Sequence, residues 1–250
     1  MTYLIIAGIT FLSEYLDSGL GMGYGTALAP ILILMGFDPV QVVPAVLISQ
    51  LFTDIAACIS HHKMFNVDLK PGSQDFKAAS LLGLMSVIGV VIAVFVAVKI
   101  PKKILTLYIG LLVASMGALV LYTTNRPMKF SWKKLMGISL LASFNKGISG
   151  GGYGPLVMGG QMLSGVHVKS AVGITAFAEA ITCLAGFLIY IITGKAIDWK
   201  LTLTLIIFAT GAVPVAAMTV KHAPSASLKR YVGIMMLLLG FLTLTKVAGS

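Results

Sequence analysis

Residues 145–155 read NKGISGGGYGP, a lysine and a cluster of glycines set inside an otherwise apolar run. Glycine weakens a helix interior and lets the backbone leave it. At membrane depth such backbone exposes N–H and C=O groups, each expensive to strand in hydrocarbon. It survives only where protein or a water-filled cavity covers it. The stretch must therefore line something, and Lys146 lies within it.

The rest of the chain supplies the membrane context. Of 250 residues, 58% are hydrophobic and only 10% charged, the composition of an all-α polytopic membrane protein rather than a soluble domain. Apolar segments run over 3–16, 20–36, 40–60, 78–98, 101–123, 134–145, 153–164, 168–193, 200–220 and 227–246. A spanning helix needs about 20 such residues, which six segments reach. The other four form two consecutive pairs, each joined by a glycine-rich stretch. The beginning, Met1-Thr2-Tyr3-Leu4, carries no basic leader, and Glu14 and Asp17 interrupt its apolar run, so a cleaved secretory signal is not expected.

The pattern repeats. A slide of 129 residues aligns Gly23-Tyr24-Gly25 with Gly152-Tyr153-Gly154, Gln50 with Glu179, and Thr53 with Thr182; just upstream, Asp17-Ser18 pairs with Asn145-Lys146. The repeats occupy about 1–123 and 132–247 of a single transport domain, 1–250, with a seam near Thr124 to Trp132. If each short pair is a re-entrant hairpin, loops 61–77, 124–134, 164–169 and 221–230 share one face with 11 Lys and Arg, against 6 on the other. Counting each pair as one interrupted crossing gives 10 against 7. The positive-inside rule favours hairpins, with both termini outside a prokaryotic plasma (inner) membrane. Three full crossings per repeat then invert the second half: each half is a Gly-broken re-entrant helical hairpin plus three transmembrane helices. In such inverted repeats, broken helices meet near the midplane and offer free N–H groups to an anion.

The repeated stretches SGLGMGYGTALAP and KGISGGGYGPLVM, in a chain of this length, resemble the sulfite exporter TauE/SafE family of permeases. The resemblance covers nearly the whole chain. It implies transport of small sulfur-containing anions such as sulfite or organosulfonates, coupled to an ion or proton. The first stretch departs from a run of adjacent glycines, reading Gly19-Leu-Gly21-Met-Gly23.

Candidate substrate-binding residues are Lys146, Gly147, Ser149, Gly150, Gly151, Gly152 and Tyr153 in the second half, with Ser18, Gly19, Gly21, Gly23 and Tyr24 in the first. Lys146 is read as an anion contact, the ordinary alternative being a lysine that snorkels to an interface. Candidates for coupling or for lining the site are Asp17, Gln50, Thr53, Asp54, Asn145, Glu179 and Thr182. An acid inside an apolar segment is a functional candidate by default. Glu179 reads as a coupling group or a partner of Lys146, against a structural hydrogen bond. Three roles stay open for Asp17: a partner for Lys146, a carrier of a coupling proton, or a group at a wet hairpin mouth. The tyrosines read equally as substrate contacts or packed aromatics, and Thr53 and Thr182 as helix–helix contacts.

Other chemistry finds little support. Gly19 to Gly23 lacks the following Lys-Ser/Thr of a phosphate loop, and no cofactor is expected. His61-His62 reads as a solvated helix end rather than a metal site. Cys58 and Cys183 read as small buried hydrophobes, and the scattered basic residues form no nucleic-acid face. Gly83 with Ser86, and Gly110 with Ser115 and Gly117, look like close helix-packing faces. No paired catalytic groups suggest an intramembrane enzyme. The alternatives to a coupled sulfur-anion permease are a passive anion channel and a permease for another small anion.

Overall fold

A computed structural model describes residues 2–22, 24–25, 28, 31–32, 35–37, 39–97, 102–123, 129–149, 153–192 and 197–248. Nine helices are assigned among them: α1 Thr2–Leu20, α2 Pro39–Lys63, α3 Gln74–Ala97, α4 Lys102–Thr123, α5 Trp132–Ser149, α6 Tyr153–Leu163, α7 Val168–Ile192, α8 Trp199–His222 and α9 Ser225–Ala248. Between α1 and α2, Tyr24, Gly25, Leu28, Ile31 and Leu32 are also helical. The six segments of spanning length in the sequence correspond to α2, α3, α4, α7, α8 and α9. Among the described residues, four stretches are long and apolar enough to cross a membrane: Pro44–Lys63, Val168–Leu188, Trp199–His222 and Ser225–Leu242. Together with the exposed leucines, isoleucines and phenylalanines along α8 and α9, they mark an integral membrane protein whose outer surface meets lipid. Exposed Trp132, Trp199, Tyr122 and Tyr231 sit towards helix ends, where amphipathic rings suit the bilayer interface.

Two helices are longer than the sequence suggests. The apolar segments 3–16 and 134–145 become α1 of 19 residues and α5 of 18, so Ser18 and Gly19, like Asn145, Lys146 and Gly147, have helical backbone. The reason is the same hydrocarbon cost that makes a break expensive. A mid-helix glycine or polar residue costs about 1 kcal/mol or less in propensity, whereas an unpaired buried peptide group costs more. The chain therefore stays helical as far as it can. Gly21, with φ of +71°, is the left-handed residue that follows α1, its N–H donating to the Asp17 carbonyl at 2.6 Å.

Packing between helices follows a regular scheme. α1 packs on α8 as α5 packs on α3, α2 lies between α7 and α8, α7 lies between α2 and α3, and α4 pairs with α9. Exchanging α1 for α5, α2 for α7, α3 for α8 and α4 for α9 maps this set of pairs onto itself. The α4–α9 pair is close because glycines meet glycines: a Cβ on Gly117 would lie 3.0 Å from the Gly233 carbonyl oxygen, and one on Gly110 would lie 3.2 Å from that of Gly240. The hydrophobic cores obey the same exchange. Tyr24, Leu28 and Leu32 pack with Ile6 of α1, Val42 and Val46 of α2, and Leu201 and Leu205 of α8. Tyr153, Leu156 and Val157 of α6 pack with Leu135 of α5, Ala171 of α7, and Ala78 and Leu82 of α3.

The ends of the helices sort into two groups. The Ser131 N–H donates to the Ser164 carbonyl at 2.9 Å, Lys169 Nζ donates to the Lys221 carbonyl at 2.6 Å, and His167 Nε2 lies 3.2 Å from Ser225 Oγ. Asn66 donates to the Ala217 carbonyl at 2.9 Å, and a cavity of about 400 Å³ there is lined by His62, Asn66, Lys70, Asp75 and Ser170. The described parts of loops 61–77, 124–134, 164–169 and 221–230 thus gather at one end. At the other end, Lys200 lies 4.6 Å from the Tyr3 ring, and Met35 and Phe37 pack on the core that holds Leu201. Both short pairs therefore return to the end from which they start.

Candidate functional site

α1, α2 and α7 each place an acid at one buried point. Carboxylate oxygens of Asp17, Asp54 and Glu179 all lie within 4.8 Å of one another, and all three residues are buried. Asp54 and Glu179 sit near the middle of α2 and α7, so this point is deep in the bundle. Glu14, one turn before Asp17 on α1, is 1% exposed and within electrostatic reach of both Asp17 and Glu179. One of its oxygens accepts from Ser18 Oγ at 2.5 Å, tying the acid to the next turn of its own helix. Positions 14, 17 and 18 share a helix face, so α1 presents Glu14, Asp17 and Ser18 together.

The glycine break lies directly against these groups. Asp17 Oδ1 accepts from the Tyr24 N–H at 3.2 Å, so the first amide after the break faces a carboxylate. The Tyr24 hydroxyl pairs with Ser49 Oγ at 2.8 Å, and Ser49 donates back to the Val46 carbonyl at 3.0 Å. Gln50 is buried beside this point: a Cβ on Gly25 would lie 3.4 Å from its Oε1. In the second half, the Tyr153 hydroxyl pairs with Ser86 Oγ at 2.5 Å. The two halves touch where α6 begins. A Cβ on Gly154 would come 2.7 Å from the Gly21 carbonyl oxygen and 3.0 Å from Met22 Cα, while one on Gly21 would come 2.9 Å from Met158 Sδ. Only glycine permits this approach of backbone to backbone.

Below the acids, the end of α1 is anchored by histidine. His61 Nε2 lies 2.8 Å from the Ser18 carbonyl, and its Nδ1 lies 3.1 Å from Asn66 Nδ2, which also donates to Ala217 on α8. An Nε2–H that donates to Ser18 and an Nδ1 that accepts from Asn66 make a neutral imidazole that satisfies one orphan carbonyl at the end of α1.

Of the residues singled out in the sequence, Asp17, Asp54, Glu179, Gln50, Ser18, Tyr24 and Gly21 come to one neighbourhood. Thr53 lies next to Glu14 and donates to the Gln50 carbonyl at 3.1 Å, and Thr182 donates to the Ala178 carbonyl at 2.8 Å. The Thr182 hydroxyl is thus used within its own helix, whereas that of Thr53 also meets the Glu14 carboxyl of α1. Gly19 remains helical, with no atom within 4 Å of where its Cβ would stand. Gly23, Gly150, Gly151 and Gly152 lie outside the described residues, as do the side chains of Asn145, Lys146 and Ser149.

Several expectations change. Asp17 is 7% exposed and bonded to the break, not at a wet mouth, because α1 runs past it. His61 is fully buried rather than solvated, since the carbonyl at the end of α1 needs its N–H. Ser86 does more than pack, because it holds Tyr153. Glu14 went unrecognised as a site residue, although Glu14 and Asp17 fall on one helix face at i, i+3; that spacing was the available signal.

Comparison with known proteins bears directly on these groups. The family model described as Sulfite exporter TauE/SafE matches residues 6–243, nearly the whole chain. The chain belongs to the sulfite exporter TauE/SafE family. It is 26% identical over 231 residues, 87% of this chain and 74% of the relative, to a probable membrane transporter protein, YtnM, of Bacillus subtilis (strain 168). No solved structure matches it. As a TauE/SafE protein it is a membrane transporter whose family implies a small-molecule substrate and a lipid bilayer, and this is not an enzyme family. The buried acids and the glycine contact lie within the matched span.

Proposed function

We propose that this protein is a permease for small sulfur-containing anions, sulfite or organosulfonates, working by alternating access and driven by a proton or another cation. The observation that carries the reading is the contact of Gly154 with Gly21 and Met22 beside the acids. Two helix breaks, one from each half, meet deep in the bundle, where a small anion can be held by backbone N–H groups. Lys146, Gly147, Ser149, Gly150, Gly151, Gly152 and Tyr153 are proposed to contribute from the second break, and Ser18, Gly19, Gly21, Gly23 and Tyr24 from the first. Lys146 supplies a full positive charge.

The halves are proposed to be inverted repeats about 1–123 and 132–247 in one domain. The exchange of helix pairs in the packing supports this, as does the return of each short pair to its own starting end. Repeats of this kind rock about a fixed central site. The acids favour coupling over the second reading, a passive anion channel, because a pore for anions has no use for carboxylates at its centre. The basic loops at one end favour a cytoplasmic position for that end in a prokaryotic inner membrane.

Purified protein in liposomes should move sulfite, an organosulfonate or both, and an imposed pH or sodium gradient should change the rate. Flux that ignores every imposed cation gradient would leave a channel; no flux of either anion would overturn the substrate class.

A further inference from the structure

Two buried polar atoms on α1 have no hydrogen-bond partner: Thr10 Oγ1 and the second oxygen of Glu14, Oε2. Thr10 is fully buried and Glu14 is 1% exposed, so water outside the bundle does not serve them. They stand at i and i+4, one turn apart on one face of α1, and Asp17 continues that face at i+7. Glu14 lies within electrostatic reach of Asp17 and Glu179 and beside the Thr53 hydroxyl. Glu14 thus borders the group formed by Asp17, Asp54 and Glu179, one turn from Asp17 on the same face of α1, without joining the set whose oxygens lie within 4.8 Å of one another. Buried acceptors without donors carry a cost that a bound cation removes.

We propose that Asp17, Asp54 and Glu179, with Glu14 at the edge, form a binding site for a hard cation of the alkali or alkaline-earth class. The donor set is all oxygen, which selects such ions over zinc or copper. The spacing fits as well. Oxygens bound at roughly 2.3–2.6 Å from one ion lie no more than about 5 Å apart, and the three clustered acids keep theirs within 4.8 Å. Charge balance points the same way. Three buried carboxyl groups whose oxygens lie within 4.8 Å of one another repel one another, and a bound cation relieves that repulsion. The neighbouring imidazole, His61, is neutral in its hydrogen-bond pattern and offers no compensation.

As the place where a driving ion enters the cycle, this site rests on the permease reading; as a binding site it stands apart from it. Occupancy by the cation would let the Tyr24 N–H turn from Asp17 to a substrate anion, because Asp17 would no longer need that donor. The cation would thereby prepare the first break to accept the anion.

The test uses whole protein in detergent, in choline chloride without substrate. Sodium, potassium, magnesium and calcium chlorides are added at matched ionic strength, with melting temperature and calorimetric titration as readouts. At least one ion should raise the melting temperature saturably, by about 5–10 °C at roughly 100 times its Kd. Glu14→Gln should weaken that ion at least tenfold, and Asp54→Asn serves where Glu14→Gln does not fold. The proposal is overturned if none of the four salts stabilises beyond choline. It is overturned equally if lowering the pH alone stabilises, since the acids then take protons, or if neither substitution changes the Kd. Cation binding that persists in protein moving neither sulfite nor organosulfonate would leave the site standing and sink only the permease reading.

Discussion

Lys146 and Glu14 show what single residues disclose in a membrane sequence. A charge inside an apolar run is visible without a structure, and Asp17, Asp54 and Glu179 all stood out that way. Glu14 was visible too, but as an interruption of a leader-like segment its partners were hidden, since they lie on α2 and α7. Only the fold brings them to it. Lys146 takes the opposite path: its charge is evident, and its effect is best read by substitution. If its ammonium neutralises a bound anion deep in the bundle, its loss should cost about 2–4 kcal/mol, or roughly 30- to 1000-fold in affinity. Lys146→Gln should keep the melting temperature of the ligand-free protein and bind both sulfite and one organosulfonate that much more weakly. Arginine should restore part of the affinity, its planar fork needing room that a compact ammonium does not. Equal dissociation constants in Lys146→Gln and parent would leave the anion to backbone N–H groups alone.

At the scale of elements, the six long helices were legible because length and apolarity are local properties. The helix ends at the breaks were not. Polar and glycine residues at 17–19 and 145–149 suggested that the helices stop early, yet α1 and α5 continue to Leu20 and Ser149. Peptide hydrogen bonding in a nonaqueous interior outweighs side-chain propensity there. The contact between Gly154 and the Gly21–Met22 backbone was equally hidden, since no repeat alignment states which glycines touch. This contact leaves no room for a methyl group, and the opposing atoms are backbone and cannot swing away. Gly154→Ala should therefore cost about 1–3 kcal/mol through overpacking and lower the melting temperature, with anion flux falling further than stability does. Gly8→Ala, on the exposed side of α1 with nothing within 4 Å of its Cβ, is the control and should be neutral or slightly stabilising. Parity of the two variants in melting temperature and flux would show that the two breaks need not touch.

For the whole molecule, the distribution of lysine and arginine chose between two ways of threading the chain, and the packing of the loops favours the same choice. If each short pair were one interrupted crossing, loops 61–77 and 221–230 would lie at opposite ends. Asn66 instead donates to Ala217, five residues before the end of α8, and Lys169 reaches Lys221 in its last turn. What packing leaves for experiment is which compartment this end faces, because a bundle in isolation has no inside. The cation excess at the gathered end, 11 against 6, predicts a cytoplasmic position for that end under the positive-inside rule. Lys70 and Lys129 are both exposed there and lie on separate loops, so they report independently. In a background with Cys58 and Cys183 replaced by alanine, single cysteines at these two positions should resist an impermeant thiol reagent in intact cells and react once the membrane is opened. A cysteine at Lys200, beside Tyr3 at the other end, should react from outside. Labelling of Lys70 and Lys129 positions in intact cells with protection at Lys200 would turn the molecule over in the membrane while leaving its internal packing intact. The same outcome at all three positions, whether labelled or protected, would break the hairpin threading itself, since an interrupted crossing puts loops 61–77, 124–134 and 194–200 on one side.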